Sequence, residues 1–158
     1  MTKFKELVKK ALDAWSSVAD IQFTESSGAT DLSISFQPFT HKADNEMKRE
    51  SFGKTTLAHG TLPCNPNGEH YPKYTHLVEG KSWALEKGGG MAALEVIAHE
   101  LGHNLGMAHS PGPMENSNPD LMRGWTRNID FTSVTFSTRD IKIVQDKYGP
   151  PKSGKMST

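Results

Sequence analysis

The run His99-Glu100-Leu101-Gly102-His103-Asn104-Leu105-Gly106-Met107-Ala108-His109 constrains this chain more than any other stretch. On a helix His99 and His103, four residues apart, project from one face, so their imidazoles can share an ion. A helix continued to His109 would carry that residue about 15 Å along the axis from His99, out of reach of the same ion. Gly106 removes the conflict. Without a β-carbon it can take the left-handed conformation, stop the helix and turn the chain so that His109 joins the other two. The fold must therefore hold a helix that ends at Gly106 and a reversal just after it.

Three protein ligands with a fourth position left for water is the arrangement of catalytic zinc. Glu100 adjoins His99 in sequence but points about 100 degrees round the helix from it, beside the ion rather than on it. There it can accept a proton from water whose pKa the ion lowers to about 7, then pass it to a leaving amine. The chemistry so implied is hydrolysis of a carbonyl polarised by zinc. A chance pair of histidines or a structural zinc would also fit a bare His-Glu-x-x-His, but the glycine and the third histidine argue against both. A structural site would normally be closed by a fourth protein ligand, and the single cysteine, Cys64, lies far upstream.

Composition narrows the remaining classes. A chain of 158 residues suits one domain. Eighteen Lys and Arg balance eighteen Asp and Glu, a formal net charge of zero, which removes the electrostatic reason to expect nucleic acid or an anionic membrane as partner. No apolar run approaches the roughly 20 residues that a membrane span requires. Met1 to Lys10 is basic and amphipathic and lacks the uninterrupted apolar stretch of a secretory signal.

Periodicity places the motif within a fold. Phe4, Leu7, Val8, Ala11, Leu12 and Trp15 form the stripe of an amphipathic helix over Lys3 to Ser17. Ile21 to Thr24 and Leu32 to Phe36 alternate as two strands. From Pro38 to Lys87 the periodicity fails around one strand-like piece at Thr55 to His59, and metal ions are the expected source of order there. Met91 begins the helical run that reaches Gly106. Ser137 and Asp140 read as a capping box for a third helix, with Ile141, Val144 and Tyr148 inward and Gly149 closing it.

The extended motif resembles that of the metzincin zinc peptidases, and Ser110 after the third histidine is similar to the matrixin branch, the matrix metalloproteinases. The likeness runs through Ala14-Trp15-Ser16, Phe23-Thr24-Glu25, Asp31 to Phe36, Leu57-Ala58-His59 and Asp140 to Gly149 in order. It implies an α+β, zincin-like fold: a small twisted mixed sheet with two helices, and a short lower subdomain with a C-terminal helix. One catalytic domain would span 1–150, its upper lobe 1–106 and lower lobe 107–150, with 151–158 as a disordered tail. The implied activity is that of a zinc-dependent endopeptidase on extended polypeptides, with Glu100 as base and His99, His103 and His109 on catalytic zinc. Protein or peptide substrates, a monomeric state and an extracellular, secreted location follow from the same resemblance.

Further residues take roles from this likeness. Met122, after Leu121, resembles the methionine-turn residue, although its spacing of thirteen from His109 implies an insertion between Pro111 and Asp120. Met114 comes too soon for that turn. Gly124-Trp125-Thr126 stands where the family usually has Pro-x-Tyr, so the pocket shape does not transfer. His41, Asp44, His59 and His76 match in order a structural zinc site, with one residue more than usual between the first two. Val78, Lys81 and Phe52-Gly53-Lys54 replace the acids expected for calcium, which argues against Ca2+. Leu57 and Ala58, within Thr55 to Ala58, resemble the edge strand that binds substrate by strand addition. His70 has no counterpart, and Cys64 reads as an inert or partly exposed thiol. A zinc-binding module without turnover, or an amidase for small molecules, would share the metal site.

Overall fold

A computed structural model of the chain describes residues 3–42, 49–63, 73–84, 90–111, 119–124 and 132–152. Helix α1 (Lys3–Val18) forms as its apolar stripe demands, burying Leu7, Ala11 and Trp15. Strand β1 (Leu32–Gln37) follows, then β2 (Thr40–Lys42), β3 (Arg49–Ser51), β4 (Ala58–Gly60), β5 (Lys73–Val78), β6 (Trp83–Ala84) and β7 (Met91–Ala92). Helices α2 (Ala93–Asn104) and α3 (Thr138–Tyr148) complete the described elements. The architecture is α+β, three helices with a small mixed sheet.

That sheet runs β1-β5-β4, with β5 parallel to β1 and antiparallel to β4. Strands β2 and β3 pair antiparallel, and β6 pairs with β7. The region from Pro38 to Lys87, expected to be almost irregular, thus supplies five strands among the described residues, including the central one. Strand β5 escapes a period-two reading because it is covered on both faces: Tyr74, Thr75, His76, Leu77 and Val78 are all buried. Ile21 to Thr24 departs from expectation in the other direction and joins no ladder. Ile21 and Phe23 still pack against the core while Gln22 and Thr24 are exposed. Alternation reports which side chains turn inward, and a strand needs a paired backbone as well.

The core lies between α1, α2 and the sheet, where Trp15, Leu77, Leu94, Ile97, Ala98 and Leu101 are almost wholly inaccessible. The Trp15 indole N–H donates to the Ala98 carbonyl at 2.9 Å, which fixes α1 across α2. Helix α3 starts on the Ser137–Asp140 capping box and ends at Gly149, with φ +83°. Val144 faces inward, whereas Tyr148, expected inward, is 38% exposed and uses its hydroxyl to reach the Leu105 carbonyl at 3.2 Å. No helix among the described residues is long and apolar enough to cross a membrane. From residue 153 onward the tail lies outside the described residues.

Gly102 is where α2 meets its neighbours most closely. A β-carbon there would overlap the Met122 sulfur and come within 3.1 Å of the Trp15 ring. Both side chains are buried, so neither can swing into solvent. Alanine is the better helix former by about 1 kcal/mol. Gly102→Ala should nevertheless destabilise the protein by about 1–3 kcal/mol through overpacking. Thermal unfolding tests this, and an unchanged melting temperature would contradict the packing.

Candidate active site

Helix α2 presents His99 and His103 on one face, and Gly106, with φ +85°, turns the chain so that His109 comes back to them. The His109 Nε2 lies 3.2 Å from that of His99 and 3.1 Å from that of His103. The Nδ1–H of His99 donates to the Leu121 carbonyl at 2.7 Å, and that of His103 to the Met107 carbonyl at 2.8 Å. A carbonyl can only accept, so both Nδ1 atoms carry the proton and both Nε2 atoms keep a lone pair when the ring is neutral. Burial favours the neutral form, holding His99 down to about 3 and His103 below its ordinary value. Lone pairs aimed at one another repel unless a cation lies between them. Nitrogens about 2.0–2.1 Å from a tetrahedral ion are themselves about 3.3 Å apart, so the donor set fits zinc.

Glu100 and His109 open with His99 into a cavity of about 650 Å³. Burial of the Glu100 side chain pushes its carboxyl up to about 8, against a backbone hydrogen bond from Gly60 that pulls the other way. Thr55, Thr56, Leu57 and Ala58 line the same cavity. The Leu57 carbonyl accepts from the Val78 amide at 2.9 Å, so by strand alternation the amide and carbonyl of Ala58 point away from β5. Strand β4 ends the sheet on that side among the described residues.

The turn at 119–124 closes the site from below. Met122 is buried against Gly102, and its carbonyl accepts from the Ser110 amide at 2.7 Å, next to His109. Asp140, read from sequence only as a helix cap, also accepts from the amides of Leu121 at 2.7 Å and Met122 at 3.4 Å. Glu95, one turn before His99 on α2, forms a buried ion pair with Arg123. Sequence reasoning passed over this pair. Its only trace there is an acid four residues before a histidine in an otherwise apolar helix and a base next to Met122.

A second cluster forms on the sheet. The β4–β5 register sets His59 opposite His76, and β2 adds His41. The His41 Nε2 is 3.4 Å from His59 Nε2 and 3.1 Å from His76 Nδ1, and those last two rings approach to 3.2 Å. Donation by His41 Nδ1 to the Pro38 carbonyl at 3.0 Å again puts the lone pair on Nε2, the nitrogen that faces the other two rings. Phe52 stacks on His59 and Tyr74 on His76. Asp44 lies outside the described residues, as do Cys64, His70, Met114, Trp125 and Thr126.

Comparison with known proteins places the chain in a family. The family model described as Matrixin, of a peptidase family, matches residues 1–149. Matrix metalloproteinase-20 of Homo sapiens is 32% identical over 146 residues, 92% of this chain and 28% of that protein. Matrilysin of Homo sapiens is 31% identical over 144 residues, 90% of this chain and 49% of that protein. Interstitial collagenase of Equus caballus is 31% identical over 150 residues, covering 94% and 29%. The chain spans less than a third of two of these relatives and about half of the third. With its three helices, its small mixed sheet and a family match over nearly its whole length, the chain belongs to the matrixin family and has the α+β fold of that family's catalytic domain.

Proposed function

We propose that this chain is a zinc-dependent endopeptidase that hydrolyses peptide bonds of extended polypeptides, with Glu100 as general base. The observation that carries this reading is the convergence of three imidazole nitrogens at a cavity that Glu100 also lines. On it, His99, His103 and His109 hold the catalytic zinc. Zinc bound there would supply a Lewis acid that polarises a carbonyl and acidifies water, and its charge would favour ionised Glu100. Glu100 takes a proton from the attacking water and returns it to the departing amine. An extended peptide pairs with the outward backbone groups of Ala58, beside Leu57, which lays it across the cavity mouth. Met122 supports the histidines from below. His41, Asp44, His59 and His76 hold a structural zinc that orders the segment between β1 and α2. The catalytic unit spans 1–150 and acts as a monomer on protein substrates. We place it outside the cell on the family relation.

Two measurements test the reading. Cleavage of a quenched peptide library should vanish with a zinc chelator and in Glu100→Ala, which should keep its zinc. A folded, zinc-loaded wild type that cleaves nothing would leave a binding module instead. Metal analysis should count two zinc ions per chain, falling to one in His76→Ala; a wild-type count of one would remove the second site.

The raised Glu100 value has a consequence for the metal-free protein. A folded-state pKa of about 8 against an ordinary 4.5 means that the folded chain holds this proton more tightly. The stabilisation is fully present below the ordinary value and is lost as pH rises through about 8. Metal-free Glu100→Gln should therefore lose less stability than wild type between pH 5 and 9. Denaturant titrations across that range check it, and parallel curves would refute it.

A further inference from the structure

Glu95 and Arg123 are both buried, 7% and 1% exposed, and the proposed chemistry uses neither. A buried ion pair is seldom more stabilising than apolar side chains of the same volume, so stability alone does not account for it. Its place in the fold does. Arg123 gives one arm of its guanidinium to Glu95 on α2 and the other to the carbonyl of Asp120, three residues back in its own turn. The guanidinium therefore braces the stretch that contains Leu121 and Met122 and ties it to α2. Asp140 holds the amides of the same two residues from α3. Leu121 in turn offers its carbonyl to His99 Nδ1, and His99 stands one helical turn beyond Glu95 on α2. Met122 packs on Gly102 of α2, but that apolar contact does not fix the direction of the carbonyls in the turn. The ion pair adds a directional tie between the turn and α2.

We propose that the Glu95–Arg123 pair is a positioning device for His99: it holds the Leu121 carbonyl on Nδ1, so that Nε2 keeps its lone pair turned toward His103 and His109. This rests on the reading of His99 as a zinc ligand. A ligand imidazole has its tautomer and ring orientation set by the group that accepts its other N–H, and disturbing such a group commonly weakens metal binding about 10–100-fold. Loss of the pair moves that acceptor without touching a ligand.

The test replaces both charges together, Glu95→Leu with Arg123→Met, so that neither member of the pair is left buried without the other. Two readouts are taken on the full chain. Nitrogen-15 NMR of the metal-free protein reports the protonated nitrogen of each imidazole, and zinc affinity is measured against a chromophoric chelator. The expected result is a mixed tautomer at His99, an unchanged Nδ1–H tautomer at His103, which answers to Met107, and zinc bound about tenfold more weakly. A His99 that keeps its tautomer, with zinc bound as tightly as in wild type, overturns the proposal and leaves the pair a packing element. Should the double variant fail to fold, Glu95→Gln is read in the same way: it keeps the shape and removes the charge, and a wild-type tautomer and affinity there also overturn the proposal. Failure of the zinc reading is separate. It would appear as a wild-type zinc content that His99→Ala does not change, and the tautomer measurement would still decide the role of the pair.

Discussion

Helix α2 is buried over nearly its whole length, and the geometry of both ends of the site follows from that confinement. From Ala93 to Asn104 only His99 and His103 escape full burial. Leu94, Ile97, Ala98 and Leu101 face α1 and the sheet, and Gly102 admits the Met122 sulfur and the Trp15 ring where any other residue would exclude them. Each large apolar side chain so buried contributes about 1.5–3 kcal/mol. A rotation or slide of the helix would forfeit several such contacts at once. The two imidazoles thus inherit their positions from the core.

Polar groups complete what packing begins. Asn104, at the end of α2, accepts from the Thr75 hydroxyl at 2.6 Å and donates to the carbonyls of Thr61 at 2.9 Å and Tyr74 at 3.0 Å. One buried amide therefore joins the end of α2 to β5 and the residues beside β4, immediately next to His76. On the other side Asp140 serves two structures with one carboxylate, capping α3 and holding the turn of Leu121 and Met122. Asp140 thus holds backbone amides and Asn104 holds backbone carbonyls, and neither side chain can leave without stranding a buried polar group, which costs about 1–3 kcal/mol.

Much of this was legible in the residues. The stripe of α1 and the capping box of α3 are local patterns, set by neighbours three or four residues away, and they survive in the fold; β1 forms as a strand, with Leu32 and Ile34 against the core, but Phe36, which alternation would turn inward, is 40% exposed. The motif on α2 is local in the same sense, since one helix and one glycine bring its three histidines together. Strand β5 was not legible, because a strand covered on both faces has no alternation to show. Ile21 to Thr24 shows the opposite failure: the pattern is present, yet the pairing depends on a backbone elsewhere in the chain. The His59–His76 pairing likewise depends on a register between segments 17 residues apart.

Family and the candidate metal chemistry were thus carried by the sequence alone, because ligand spacing along a helix is a matter of a few consecutive residues. Which backbone groups hold those ligands was decided only in three dimensions. Leu121 reaches His99 from 22 positions away, and Arg123 reaches Glu95 from 28. Such partners are selected by the way α2, α3 and the turn between them close on one another, and no local pattern encodes that closure.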